Sequence, residues 1–454
     1  MTRTYRFRRF LYRTYRAGHG GARPWRRFTK AGLILLITMV VSAVIGLDTR
    51  RTLIYQVFSF LFILVCLSLI WSLFFRLRLT ATRILPQFGT VGERLEYQII
   101  IRNNTPKSQK GLLLLDNAKT PPPTLEEFLY TPEPGEEKRN AYDRTILLYR
   151  WNWLIFRKKG VDLQEQPLPM LPPKGTAEVK VIMTPWRRGY IQLTGLTIIR
   201  PDPLNLCKSF FEISNRKSLL ILPKRYEIPT IQLPGSRKFK LGGITLASSV
   251  GESEEFISLR DYRPGDPLRR IHWRSWAKTG KPIVKEYHDE YFVRHALVLD
   301  TFQKAMYSDI FEEAVSVAAS FACTITTQDS LLDLLFVGTE AYSFTIGRGL
   351  GQTEQMLEIL ASVTPCQNKP FSELPPLVIG RASMLSGCIC ILLAWDEERQ
   401  NFIKALRTLG VPILLFILTD GKGSQPLEPG PMQDNPEYFH VLKVGNIQEE
   451  LAQL

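Results

Sequence analysis

The apolar residues of this 454-residue chain change rhythm along its length, and each rhythm predicts a different kind of element. Residues 31–47 and 52–75 form runs of 17 and 24 residues without a charged side chain. Each can cross a hydrocarbon core of about 30 Å as a helix, the first only just. Asp48, Thr49, Arg50 and Arg51 separate them, which predicts a tight helical hairpin. From residue 77 to about 211 the period shortens to two. Leu95, Tyr97, Ile99 and Ile101 alternate with polar residues, and 112–115, 179–183 and 190–199 read as further strands. Such a set closes most simply as a small β-sandwich. Prolines bracket an intrusion in which residues 145–156, rich in Tyr, Trp and Leu, are expected as a β-strand; Trp151, Trp153 and Phe156 have resting on a membrane surface as their alternative. Residues 219–222 read as a strand and 228–250 as a loop.

Past residue 290 the rhythm alternates between strand and helix. Residues 295–299, 331–337, 341–346, 388–394, 411–418 and 439–444 read as strands. Between them Tyr307, Ile310, Phe311, Ala314, Val315, Ala318, Phe321 and Ala322 recur at helical spacing, and residues 397–409 form a helix closed by Gly410. Thr353 is expected to cap a helix, and Asn446 with Glu449 to form a capping box. This order predicts a mostly parallel sheet covered on both faces. The expected architecture is therefore two N-terminal transmembrane helices, a β-sandwich-like middle domain and a C-terminal α/β domain. Its divisions are a basic tail at 1–30, the hairpin at 31–75, a β-rich domain at 77–227, a linker with a charged segment at 228–290 and the α/β domain at 291–454.

Charge sharpens the topology. Of the formal +15, residues 1–30 supply ten through nine Arg and one Lys with no acid. With Arg76, Arg78 and Arg83 after the second span, the flanks belong on the cytoplasmic side of an inner (plasma) membrane, both termini inside. Because the excess sits in the tail, no specific nucleic-acid groove is expected; the aromatic and Arg-rich tail can lie on an anionic leaflet, with RNA binding as its alternative. Six Cys in a cytoplasmic protein predict no disulfides, and Cys388 and Cys390 read as buried apolar filling.

Residues 251–288 carry six carboxylates, eight Lys or Arg and two His among many aromatic residues. The run Arg260-Asp261-Tyr262-Arg263-Pro264-Gly265-Asp266-Pro267-Leu268-Arg269-Arg270-Ile271-His272-Trp273, followed by Ala277-Lys278-Thr279-Gly280-Lys281, resembles the signature of a large bacterial and archaeal family, the domain-of-unknown-function family 58 (DUF58). The resemblance implies two membrane helices, a strand-rich middle and a C-terminal domain similar to von Willebrand factor A. It also implies association with a MoxR-type AAA ATPase and a client protein. In such domains a metal is held by Asp-x-Ser-x-Ser, a later Thr and a later Asp. Asp300 matches the first aspartate, Phe302 and Lys304 stand at the serine positions, and Thr353 and Asp396 match the others. With two hydroxyl ligands gone, an ion pair of Lys304 with Asp300 or Asp396 is expected in place of metal, and no cofactor is expected. Asp396 has a second reading as helix N-cap.

Two function classes compete. Asp261, Asp266, His272, Glu286 and His288 can be assembled on paper into a membrane-bound hydrolase, since imidazole and carboxylate exchange protons near neutral pH. No nucleophile elbow or metal-protease motif accompanies them. Gly347, Gly349 and Gly351 have neither dinucleotide nor Walker spacing. The favoured reading is a non-enzymatic, membrane-anchored adaptor. Its signature (Arg260, Asp261, Arg263, Asp266, Arg269, Arg270, His272, Trp273, Arg274, Lys278, Lys281) would be ion-paired and would serve as a docking surface, with Trp273 and Trp276 as an apolar floor against the sheet.

Overall fold

The computed structural model describes residues 3–20, 27–45, 52–73, 77–229, 239–240, 256–264, 266, 268–287, 291–305, 307–326, 330–346, 350–421 and 427–454. The chain divides into two compact units, Met1–Leu222 and Pro223–Leu454.

In the first unit, helices α1 (Arg3–Gly20), α2 (Lys30–Ile45) and α3 (Thr52–Leu73) precede strands β1 (Leu79–Ile84), β2 (Phe88–Thr90), β3 (Leu95–Asn103) and β4 (Leu113–Ala118). An insertion of short helices α4 (Leu125–Tyr130), α5 (Ala141–Ile146) and α6 (Leu148–Lys159) follows, then β5 (Val161–Leu163), β6 (Gln166–Pro167), β7 (Thr176–Pro185), β8 (Gly189–Pro201) and β9 (Lys208–Leu222). A sheet of order β1-β3-β7-β5 faces one of order β2-β9-β8-β4-β6. Ile99, Val181, Leu114, Ile191 and Ile221 from both sheets share one core, so the alternating residues close a sandwich. Across that core Arg83 of β1 and Asp116 of β4 form a bidentate pair at 3.0 and 2.6 Å with both side chains fully buried. The Tyr97 hydroxyl donates to the same carboxylate, and burial first and then the Asp116 charge push its pKa up.

Residues 145–156 form the end of α5 and most of α6, joined at the left-handed Leu147, not the expected strand. Leu147, Trp151 and Leu154 lie one helical turn apart and are buried together with Phe128, a spacing of period 3.6 that outweighs β propensity. Trp151 is 2% exposed, so it does not rest on a membrane. The basic tail is folded too: Tyr12 and Tyr15 of α1 pack on Phe128 and Trp151, and their hydroxyls donate to the carbonyls of Pro123 (3.1 Å) and Ile146 (2.9 Å).

Among the described residues, Leu53–Ser72 within α3 is one helix long and apolar enough to cross a membrane; α2 is a shorter apolar helix of 16 residues. Both are moored to the start of β9. Thr29 N–H donates to Leu206 O (2.9 Å), a Cβ on Gly32 would lie 2.1 Å from that carbonyl oxygen, and Ser209 Oγ lies 2.9 Å from Ser72 Oγ. The connection 48–51 lies outside the described residues.

The second unit holds β10 (Phe239–Lys240), β11 (Phe256–Asp261), α7 (Trp273–Thr279), β12 (Ile283–Tyr287), β13 (Tyr291–Leu299), α8 (Asp309–Thr326), β14 (Ser330–Val337), β15 (Ala341–Ile346), α9 (Leu350–Ser362), α10 (Leu374–Ile379), β16 (Gly387–Leu392), α11 (Glu397–Thr408), β17 (Ile413–Thr419), β18 (Phe439–Lys443) and α12 (Ile447–Leu451). The main sheet runs β15-β14-β13-β16-β17-β18, with β10 paired to β13. Every neighbour in that run is parallel except the β14–β15 edge. Leu297, Ile389, Cys390 and Leu415 are fully buried, as strands covered on both faces require. Cys388 and Cys390 are free thiols within this core. Two expected caps are absent. Helix α9 already begins at Leu350, which leaves Thr353 inside it, and the Asn446 side chain makes no capping bond to α12.

Candidate functional site

Asp300 ends the central strand β13, where an open α/β sheet places its ligands. Its side chain is 0% exposed and fully engaged. One oxygen accepts from Phe302 N–H (2.9 Å); the other accepts from Leu393 N–H (3.1 Å) and Arg399 Nε (2.6 Å). The same guanidinium reaches Asp396 Oδ2 at 2.5 Å and lies over the Phe371 ring at 4.6 Å. Asp396 also caps α11 by accepting from Arg399 N–H at 3.1 Å.

The expected partner Lys304 is exposed, and its carbonyl accepts from Gln367, so the cation beside both aspartates is Arg399 instead. Arg399 stands one turn into α11, where i, i+3 spacing brings it over Asp396 and inward to Asp300. Lys304 sits in the loop after β13. Phe302 is buried against Phe371 as core, and the half-buried Thr353 lies in α9. The residues present do not fit a divalent cation: the oxygens it needs are occupied by N–H donors and a guanidinium. Burial lifts the Asp300 carboxyl above its ordinary value despite the pull of Arg399, so its ionised form depends on that guanidinium. Arg399 is pulled down by burial, but the two aspartates more than reverse this.

The signature forms a second construction. Strands β11 and β12 pair antiparallel, and the chain between them carries the Arg263–Asp266 turn and α7. Arg260 grips Asp266 with two bonds of 2.7 and 2.8 Å, and the Arg263 N–H adds a third at 2.8 Å. These bonds, that from Arg260 first, hold the Asp266 carboxyl down at about 2. Ile271 and Val284 bridge and are buried, and the backbone N–H of His272 donates to Ile283 O. This aliphatic pair is the floor, and the expected role of Trp273 is corrected. Trp273 is 64% exposed because it opens α7 beyond the buried pair, and its indole stacks on Trp276 at 5.2 Å and 19°. Leu268 is exposed beside them, as are Arg274, Lys278 and Lys281. Asp261, Arg263 and Arg269 are exposed and Arg270 is half-buried.

The hydrolytic candidates are not brought together. Asp266 is committed to Arg260, and His272 Nδ1 lies 2.6 Å from Ser275 Oγ, a contact within one turn. His288 and the Glu286 side chain lie outside the described residues, as do Gly347 and Gly349. Among the described residues no group of three His, Cys, Asp or Glu is placed to hold a metal.

Fold and site together define an α/β unit whose strand-end carboxylates are closed by an internal arginine and which carries a cationic, tryptophan-bearing hairpin. Residues 258–377, from that hairpin through β15 to α10, match the model of the family described as protein of unknown function DUF58, so the chain carries a DUF58 domain. A relative from Bacillus subtilis (strain 168), described as uncharacterized protein YeaD, is 26% identical over 201 residues; the match spans 43% of this chain and 48% of the relative, about half its length. Among solved structures, the CARDB domain of a Pyrococcus furiosus protein is similar at 12% identity over 30% of this chain and 92% of that one. Its TM-score is 0.16, too low to carry an argument.

Proposed function

We propose that this protein is a membrane-anchored, non-enzymatic adaptor that docks a protein partner on the Trp273–Trp276 face of its signature hairpin. One observation carries the reading: the exposed indole of Trp273 stacks on the half-buried Trp276 in α7, among exposed Arg274, Lys278 and Lys281, in a hairpin whose turn is held by the Arg260–Asp266 pair. Exposed aromatics on a rigid mount are the residues that dominate protein interfaces. The Arg399-closed strand end supports the same direction, since its carboxylates are spent on structure.

The finer features belong to this proposal. They are a two-span anchor with both termini cytoplasmic, an α/β domain similar to von Willebrand factor A, the domain borders expected above, and a MoxR-type AAA ATPase with its client as partners. The apolar α2 and α3, both moored to the start of β9, support the anchor. The ATPase rests on the family resemblance.

The test is affinity capture with the detergent-extracted full-length protein, parent against Trp273→Ser/Trp276→Ser. The variant should retain the parent's fold by circular dichroism and lose most of the captured ATPase. Equal capture by both proteins would remove the hairpin from the interface, and a measurable hydrolysis lost with His272→Gln would replace the adaptor by an enzyme.

A further inference from the structure

Helix α1 contains no acid, and its direction is fixed because the buried Tyr12 and half-buried Tyr15 pack against the α4–α6 insertion. Arg9, Arg13 and Arg16, spaced four and three apart, then line one wall of a cavity of about 800 Å³ whose other wall is Pro122, Pro123 and Thr124. Like charges at this spacing destabilise a helix unless something neutralises them. No acid of the insertion lines this cavity. Glu127 is held by Lys158 at 2.6 Å, and Glu136 by Arg150 at 2.5 Å. The Pro123 carbonyl already accepts from Tyr12, and that of Pro122 from Lys158. Arg16 reaches the Tyr12 hydroxyl at 3.4 Å, and Arg9 and Arg13 have no ion pair among the described residues. The cavity therefore presents exposed guanidinium groups opposite an uncharged wall, with no acid among its lining residues, which is an environment for an anion. Guanidinium groups favour phosphate because their planar fork matches two of its oxygens.

We propose that the Arg9–Arg13–Arg16 cavity binds the phosphate of an anionic headgroup. Its source as a lipid rests on the membrane-anchored reading: Gly20 and Arg27 are seven residues apart, a reach of at most roughly 25 Å, so α1 stays close to where α2 begins. A free phosphate carries the same chemistry.

The experiment is native mass spectrometry of the full-length chain in neutral detergent, titrated separately with phosphatidylglycerol, phosphatidylcholine and inorganic phosphate. The parent should retain phosphatidylglycerol over phosphatidylcholine. Arg9→Gln/Arg13→Gln/Arg16→Gln should lose at least about tenfold in that affinity, and Arg13→Glu alone should lose part of it, both with unchanged circular dichroism since the hydroxyl bonds of Tyr12 and Tyr15 to Pro123 and Ile146 are kept. Inorganic phosphate binding the parent as tightly, and lost in the variant, supports the cavity with a free phosphate as source. Unchanged lipid affinity in both variants overturns the proposal, as does an RNA oligonucleotide that outcompetes phosphatidylglycerol. Carbonate extraction of membranes reads the anchor separately. A parent chain released by carbonate ends the anchored reading, and the titrations still judge the cavity.

Discussion

Replacing Arg399 by Met removes the guanidinium while keeping the length of its stem. Asp300 is then left fully buried with two backbone N–H donors and no counter-charge. Breaking a buried pair from one side costs about 3–5 kcal/mol, a large share of a net stability of about 5–15 kcal/mol. At roughly 1.4 kcal/mol per decade this is two to nearly four decades in local opening, read by amide hydrogen exchange in β13 and β16 beside the parent. The variant's pH dependence supplies a second reading. Burial raises the Asp300 carboxyl in the folded state, and without Arg399 only the Phe302 and Leu393 N–H donors oppose that rise. A carboxyl raised on folding stabilises below its unfolded value, near pH 4, and loses that contribution as pH rises through the folded value. The variant should therefore become less protected from pH 4 upward, and adding Asp300→Asn should restore much of the protection. Asp396→Asn should cost only about 0–1 kcal/mol, because that carboxylate is half exposed and Asn caps a helix well. Parent-like exchange in Arg399→Met would refute the reasoning, and so would magnesium-dependent protection of the parent that Asp300→Ala abolishes.

Asp266, held at about 2 against an ordinary 3.8, stabilises the hairpin in its ionised form. That contribution should be complete above about pH 4 and vanish toward pH 2, followed by tryptophan fluorescence of the Trp273–Trp276 pair; Asp266→Asn should remove the transition. His295, pushed down to about 4 by burial, must stay neutral in the fold, so stability should fall as pH drops from 6.5 toward 4 by up to about 3 kcal/mol. Denaturant midpoints should show this fall, and His295→Leu should flatten it. Arg83→Met should destabilise the sandwich by about 3–5 kcal/mol through the stranded Asp116, and Arg83→Met/Asp116→Leu should recover much of that loss in the same melts.

Periodicity made the large elements legible. The alternation around Tyr97 and Ile99 became β3, and the strand and helix order past residue 290 became the parallel sheet. It failed where composition and period disagreed: Leu148–Lys159 has the aromatic content of a strand and the spacing of a helix. The candidate site was half legible. Asp300 and Asp396 stand at strand ends, where topology marks them. Arg399 does not, because in Glu397–Thr408 it reads as one more charge on a solvated helix face. Its signal was present as an Asp396 to Arg399 spacing of three, which pairs side chains along a helix, but the inward reach to Asp300 needs the tertiary packing. Trp273 was misplaced because an indole is read as core unless something marks it exposed.

Places where local chemistry breaks the rules of a self-sufficient fold are where function is expected. Three such departures stand in this chain, and the structure separates them. The buried aspartate of β13 looks like a vacant site in sequence, yet Arg399 compensates it, so it asks nothing of an outside molecule. The exposed Trp273 stacked on Trp276 and the arginine face of α1, whose cavity is lined by no acid, receive no such compensation from the described residues around them. An uncompensated apolar pair and an uncompensated cation cluster call for different complements, one an apolar protein surface and the other an anion. The two proposals can therefore fail independently: Trp273→Ser/Trp276→Ser should leave lipid retention intact, and Arg9→Gln/Arg13→Gln/Arg16→Gln should leave partner capture intact.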